Sequence, residues 1–309
     1  MHTLSHADVK TAADRIAGQI RPVTIAPGDG DGGMWFALEL LQHTGSFKAR
    51  GALNFLLAHR EAGTLPAAGV TIASGGNAGL ACAWAARRQD ARATVFLPTT
   101  APKLKVERLL GYGADVRLVG TEYAEALAAC ETFAAETGAL ASHAYDHPLI
   151  AAGAGTLLEE IRQGLPGLDT VVVSVGGGGL FAGVAAAARA HGVRVVAVEP
   201  ENCRALGAAL EAGRPVDVTV DSVASDSLGA RRVSAAALEA ARQGDVRAVL
   251  VSDAEIVRAR RALWDERRLV VEHAAATAHA AVGAAYRPEP GERVCVVLCG
   301  ANTDPSDLV

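Results

Sequence analysis

Four short segments hold residue types that could do chemistry together. The first is Gln42-His-Thr-Gly-Ser-Phe-Lys-Ala-Arg-Gly51. Its spacing predicts that Lys48 opens a helix, where the positive end of the dipole disfavours an ammonium group. Burial would lower the amine's pKa further. An amine of lowered pKa is a nucleophile and can form a Schiff base. An ordinary surface lysine is the plain alternative. Lysine is scarce here, however, with only Lys10, Lys103 and Lys105 besides, and Gly45 and Gly51 imply close backbone approach.

The second segment, Ala73-Ser-Gly-Gly-Asn-Ala-Gly79, lies between a strand-like run and a helix-like run. Backbone N–H groups there could cradle a carboxylate or a phosphate, with Asn77 adding its side chain. A tight strand-to-helix turn is the alternative. The third, Val175-Gly-Gly-Gly-Gly-Leu180, bares its N–H groups to a phosphate through Gly176, Gly177, Gly178 and Gly179. Gly177, Gly179 and Gly183, with Glu199 ending the next strand, also approximate a dinucleotide fingerprint. That leaves a nicotinamide-dependent oxidoreductase open at this point. The fourth is Leu298-Cys-Gly-Ala-Asn302, which puts Cys299 either at a ligand crevice or in the core as a buried thiol.

The elements that must position these segments alternate. Strand-like runs occur at Val70 to Ala73, Ala93 to Leu97, Val116 to Val119, Val171 to Val175, Val193 to Val198, Ala248 to Val251 and Arg293 to Leu298. Helix-length stretches rich in Ala, Leu, Glu and Arg separate most of them. This predicts an α/β fold with parallel sheets buried on both faces. Ser252-Asp-Ala-Glu255 reads as a capping box that opens a helix to about Arg268. A helix from Lys48 to about Ala62 would stop at Gly63. An N-terminal helix is expected from about Ser5 to Ile20.

Composition excludes several classes. A length of 309 residues fits one large or two modest domains. Half the residues are hydrophobic but only 4% are aromatic, so the core is mostly Ala, Val and Leu. A net charge of -5 offers no nucleic-acid or anionic-membrane surface. The uncharged stretch from Thr170 to Ala188 could be long enough for a membrane span, but the four glycines cut it into strand, loop and helix. Five scattered cysteines lack metal or redox spacing, so reduced thiols and a cytoplasmic protein are expected.

Taken in order, the four segments resemble the pyridoxal-phosphate enzymes of fold type II, and within them the threonine/serine dehydratases. The resemblance extends to Glu39-x-x-Gln42, Asp146-His-Pro148, Ala152-Gly-Ala-Gly-Thr156, Val198-Glu-Pro200 and Asp226-Ser-Leu-Gly229. It implies two open parallel-type sheets flanked by helices, as in tryptophan synthase β. Residues 1–38 and 139–309 would form a large cofactor-binding domain, and 39–138 a small one. Pyridoxal 5'-phosphate would be held by Lys48 as a Schiff base, with the amine later serving as base. Gly176 to Gly179 would bind its phosphate and Asn77 its ring hydroxyl. Phe47 would pack beside the ring, Gly229 would border it, and Cys299 would face the ring nitrogen. The backbone of Ser74, Gly75, Gly76, Asn77 and Ala78 would bind the substrate carboxylate. A thiol is a weak partner for that nitrogen, whereas an aspartate would keep it protonated. Elimination of a β-leaving group therefore suits the site.

The implied activity is β-elimination from a small β-hydroxy amino acid, L-threonine or L-serine, giving a 2-oxo acid and ammonia. Another β-substituted substrate such as 3-hydroxyaspartate is the nearest alternative. A non-catalytic relative is more distant, as is the oxidoreductase. Related racemases carry a serine where this chain has Gly75, which argues against racemisation. The family's AGQGT reads AGAGT, so Ala154 replaces a glutamine expected near the substrate side chain. Its Glu-Pro before the last helix reads Glu272-His273. A monovalent cation at Glu199 is expected rather than a divalent one, because Ala205 stands where a second carboxylate would be. A homodimer is implied by the resemblance. With the last motif ending at Asn302 and the chain at Val309, no C-terminal regulatory domain is expected.

Overall fold

A computed structural model describes residues 4–28 and 33–308. Helix α1 (His6–Ile16) precedes strands β1 (Ile25–Pro27) and β2 (Met34–Ala37). Then follow α2 (Lys48–Glu61), β3 (Val70–Ala73), α3 (Asn77–Arg88), β4 (Ala93–Leu97), α4 (Lys103–Gly111), β5 (Asp115–Leu118), α5 (Tyr123–Thr137) and β6 (Leu140–Ala141). The remainder comprises α6 (Pro148–Gly164), β7 (Thr170–Ser174), α7 (Gly179–His191), β8 (Arg194–Pro200), α8 (Ala205–Ala212), α9 (Ser225–Leu228), α10 (Ala235–Gln243), β9 (Val246–Val251), α11 (Asp253–Arg267), α12 (His273–Ala281) and β10 (Val294–Val297).

The strands form a six-stranded sheet in the order β1-β2-β10-β7-β8-β9 and a four-stranded sheet in the order β5-β4-β3-β6. All neighbours run parallel except β1 and β2, so the larger sheet is mixed. β6 joins the smaller sheet from just beyond residue 138. Every residue of β3, β4, β7 and β10 is buried. Helices explain this: α7 and α12 pack on β7 and β8, and α3 and α5 on β3 and β4. Central parallel strands covered on both faces read as unbroken apolar runs, which is the pattern seen in the sequence.

The uncharged stretch at Thr170 is β7, the glycine loop and the body of α7. No helix among the described residues is long and apolar enough to cross a membrane. The Ser252 box forms as read, with Glu255 N–H donating to Ser252 Oγ at 3.3 Å and Ser252 N–H donating to Glu255 Oε2 at 2.7 Å. Helix α1 stops at Ile16, short of the expected Ile20. Helices α6 and α7 cross so closely that a Cβ on Gly183 would stand 2.0 Å from the Ala151 carbonyl oxygen. Only glycine permits that approach, which fixes the helix that follows the glycine loop.

Candidate active site

The carboxyl ends of β3, β7 and β10 release the second, third and fourth segments toward one region, as open α/β sheets do around ligands. The first segment joins them by backbone bonds. Leu40 N–H donates to Leu298 O at 2.9 Å, Phe47 N–H to Cys299 O at 3.0 Å and Ala301 N–H to Gly45 O at 3.0 Å. Helix α2 is then pinned by Arg50, which is fully buried. Its guanidinium donates to Glu39 at 2.8 Å twice and to Glu160 at 2.6 and 2.9 Å.

Lys48 opens α2, half-buried, with Nζ donating to Ala144 O at 2.9 Å and 4.8 Å from the centre of the Phe47 ring. Burial pushes its amine from the usual 10.5 down to about 8, against the opposing pull of Cys299 and Glu272. An amine so shifted is neutral far more often at physiological pH than an exposed lysine. Beside it lies a cavity of about 20 Å³ lined by Phe47, Lys48, Ala78, Ala144, Ala154 and Leu180. Ala154, the departure from the family pattern, therefore faces the lysine's surroundings.

Two of the motif helices begin without side-chain caps. Helix α7 follows Gly178, which adopts φ +91 and has no side-chain capping bond. A Cβ on Gly178 would lie 2.4 Å from Ala237 Cβ, and one on Gly177 would lie 2.3 Å from the Tyr145 ring. A Cβ on Gly176 would lie 3.1 Å from Leu228 Cα, and Gly229 follows Leu228 directly at the end of α9. Gly179 is the first residue of α7. Helix α3 likewise follows Gly76 uncapped, behind Ser74 and Gly75 and ahead of Ala78. Free N–H groups at such starts attract anions.

Asn77 is held from two sides. Its Nδ2 donates to Glu272 Oε1 at 2.7 Å and lies 3.0 Å from Oε2, while its Oδ1 accepts from Asn302 Nδ2 at 2.7 Å. Glu272 precedes α12 but makes no capping bond to that helix; its side chain is turned to Asn77 instead. Burial pushes its carboxyl up to about 7. Cys299 is buried 3.8 Å from Ser174 Oγ, and burial together with Glu272 pushes its thiol up to about 12. The thiol thus stays protonated. The Ser46 hydroxyl is buried with no hydrogen-bond partner.

Glu199 lies apart, at the end of β8. Its two oxygens accept from Leu206 N at 2.7 Å and Gly207 N at 2.9 Å, so it caps α8. Burial still pushes its carboxyl up to about 7. His273 is the first residue of α12. The five cysteines are all buried and unpaired.

The family model for "Pyridoxal-phosphate dependent enzyme" matches residues 22–300. The chain belongs to that family. It is 38% identical over 276 residues to an L-threonine ammonia-lyase of Geobacter sulfurreducens, covering 88% of this chain and 67% of the other. It is 39% identical over 272 residues to a phenylserine dehydratase of Ralstonia pickettii, covering 87% and 82%. A crystal structure of a pyridoxal 5'-phosphate-dependent aspartate racemase superposes with a TM-score of 0.88 at 30% identity, covering 100% of this chain and 98% of that one. The fold is that of the fold type II pyridoxal-phosphate enzymes, and the expected resemblance and α/β class both hold.

The residues present fit pyridoxal phosphate. A half-buried lysine of lowered pKa, an uncapped helix start behind glycines that a Cβ would crowd, and a neutral thiol supply what its aldehyde, phosphate and ring require. Sequence reasoning missed the Asn302 and Glu272 grip on Asn77, the Tyr145 ring over Gly177 and the Arg50 anchor. It also missed Lys105, which reaches from α4 to Asp226 at 2.8 Å beside the Asn77 pocket. Each depends on contacts between segments far apart in the chain, for which no local pattern exists.

Proposed function

We propose that this protein is a pyridoxal-phosphate-dependent ammonia-lyase that removes the β-hydroxyl and the amino group from a small β-hydroxy amino acid, L-threonine or L-serine. The observation that carries the reading is the buried, readily deprotonated Lys48 amine together with a protonated Cys299 thiol where an electron-withdrawing acid would otherwise stand. The names of the relatives support it.

When bound, pyridoxal phosphate supplies an electron sink that acidifies the substrate Cα–H bond. Lys48 would hold it, Gly176 to Gly179 and the first N–H groups of α7 would receive its phosphate, and Asn77 would donate to its ring oxygen. Phe47, Gly229 and Cys299 would border the ring. Loading would replace the hydrogen bond that Lys48 Nζ gives to Ala144 O. The backbone N–H groups from Ser74 to Ala78, at the turn from β3 into α3, would orient the substrate carboxylate. Lys48 Nζ would take the Cα proton, and the β-hydroxyl would leave together with a proton as water; the released enamine then takes up one water to give the 2-oxo acid and ammonia. Glu272 acts as a positioning residue: it holds the Asn77 amide so that Oδ1 faces Asn302 and Nδ2 faces Glu272. Glu199 would serve a monovalent cation through lone pairs left over from its capping bonds. We also assign a cytoplasmic setting, on the five free thiols, and a homodimer, on family resemblance.

Racemisation is not part of this reading. Gly75 offers no hydroxyl where the related racemases carry an acid–base serine, and a Cβ there would stand 2.2 Å from Leu97 Cδ2. The test is a substrate panel. L-threonine, L-serine, 3-phenylserine and 3-hydroxyaspartate are each assayed for 2-oxo acid, ammonia and D-isomer. Keto acid and ammonia in equal amounts without D-isomer support the reading. D-serine from L-serine contradicts it.

A further inference from the structure

The first turn of α1 holds a cluster that the reaction does not use. His6 Nε2 lies 3.0 Å, and His191 Nε2 2.9 Å, from the same atom, Oε1 of Glu159. The three side chains come from α1, α7 and α6, which pack against one another. The two imidazoles meet edge to face, with centroids 4.7 Å apart and planes at 79°. Their side chains are 27% and 19% exposed and that of Glu159 is 19%, so the group is sheltered yet reachable from solvent. Among the described residues it is the one group of three His, Cys, Asp or Glu side chains whose ligand atoms all lie within 4.8 Å of one another.

The spacing suits a metal ion. Zinc bonds of about 2.0–2.1 Å in a tetrahedron set neighbouring ligand atoms roughly 3.3 Å apart. The observed separations from Glu159 fall a few tenths of an ångström short of that, so an ion would need only a slight opening of the cluster. Two imidazoles and one carboxylate favour zinc, cobalt or nickel over magnesium or calcium, which seek oxygen ligands. Three protein ligands leave a fourth position for water.

The placement indicates a structural role. His191 closes α7 and Gly179 opens it, thirteen residues in all, so the cluster is about 18 Å along the helix from the glycine loop. No reacting group is within reach. His6 is the first residue of α1. An ion here would fasten the start of α1 to α6 and α7, the pair whose close crossing fixes the glycine loop.

We propose that His6, Glu159 and His191 form a binding site for one zinc-class divalent ion per chain, clamping α1 to α6 and α7. The test uses untagged, cofactor-loaded protein stripped of metal with EDTA and then dialysed. Cobalt is titrated while the visible ligand-field band is recorded, zinc is titrated calorimetrically, and Tm is measured at rising zinc. The expected result is one ion per chain, a tetrahedral cobalt spectrum that zinc abolishes, and a Tm that climbs with the logarithm of free zinc. His191→Ala and Glu159→Gln should each weaken zinc binding by more than about tenfold and flatten the Tm response. His6→Ala, at the partly exposed helix start, serves if either of those fails to fold. Absence of saturable binding in the wild type overturns the proposal, as does equally tight binding in the folded variants, which would put the ion elsewhere.

Discussion

Replacing Lys48 with methionine should stabilise the cofactor-stripped protein. Methionine keeps the length and flexibility of the side chain without its charge. In the folded protein burial lowers the amine from 10.5 to about 8. Below pH 8 both folded and unfolded chains carry the ammonium, and the folded one bears the full cost of burying it. Between pH 8 and 10.5 the unfolded chain binds more protons, so stability rises with pH across that window. A shift of about 2.5 units corresponds to roughly 3 kcal/mol. At pH 7 the variant escapes that cost but loses the bond to Ala144 O, worth about 1 kcal/mol. A net gain of about 2 kcal/mol remains. Urea unfolding of both proteins from pH 7 to 10.5, followed by tryptophan fluorescence and circular dichroism, measures the difference. The buried thiols Cys82 and Cys295, pushed up to about 12 by burial, work in the opposite direction above pH 9. They cancel when the two profiles are subtracted. The difference should shrink steadily above pH 8. Parallel profiles, or a variant less stable at pH 7, would refute the buried-amine argument.

Other perturbations probe the frame around that lysine. Arg50→Met strands the buried Glu39 carboxylate and should cost about 3–5 kcal/mol in urea unfolding, whereas Arg50→Met with Glu39→Leu should recover most of it. A single variant as stable as wild type would show that the ion pair anchors nothing. Gly177→Ala forces the Tyr145 ring or the loop aside, so pyridoxal-phosphate affinity by fluorescence titration should fall at least about tenfold while the fold loses roughly 1–3 kcal/mol. Glu272→Gln leaves Asn77 loosely held. It should lower kcat by about a hundredfold with little change in KM. It should also remove any inflection near pH 7 that the Glu272 carboxyl contributes to the pH–rate profile.

The seven strand-like runs in the sequence all became strands, because buried parallel strands and long alanine-rich helices carry strong local signals. β1, β2 and β6 were not legible. They are three, four and two residues long, too short for an alternation pattern to register. The glycine loop, Lys48 and Cys299 could be read because their motifs are continuous in sequence. Asn77, Glu272 and Asn302 form one hydrogen-bonded group although 195 and 225 residues separate Asn77 from its two partners. A buried glutamate at a helix start resembles an ordinary cap until its side chain is seen to turn away. Arg50 was hidden for another reason. Every residue from Ala49 to Leu57 is buried, so α2 has no polar face against which a buried charge would stand out.

The central claim is that Lys48 carries pyridoxal phosphate and drives elimination. The most direct test records the visible spectrum of the purified protein before and after adding L-threonine or L-serine, with 2-oxo acid assayed in the same cuvette, for wild type and Lys48→Ala. The account predicts a yellow wild-type protein whose absorbance shifts as keto acid accumulates. It predicts a variant without the lysine-bound band and without turnover. Keto acid formed by the Lys48→Ala variant at the wild-type rate would contradict it.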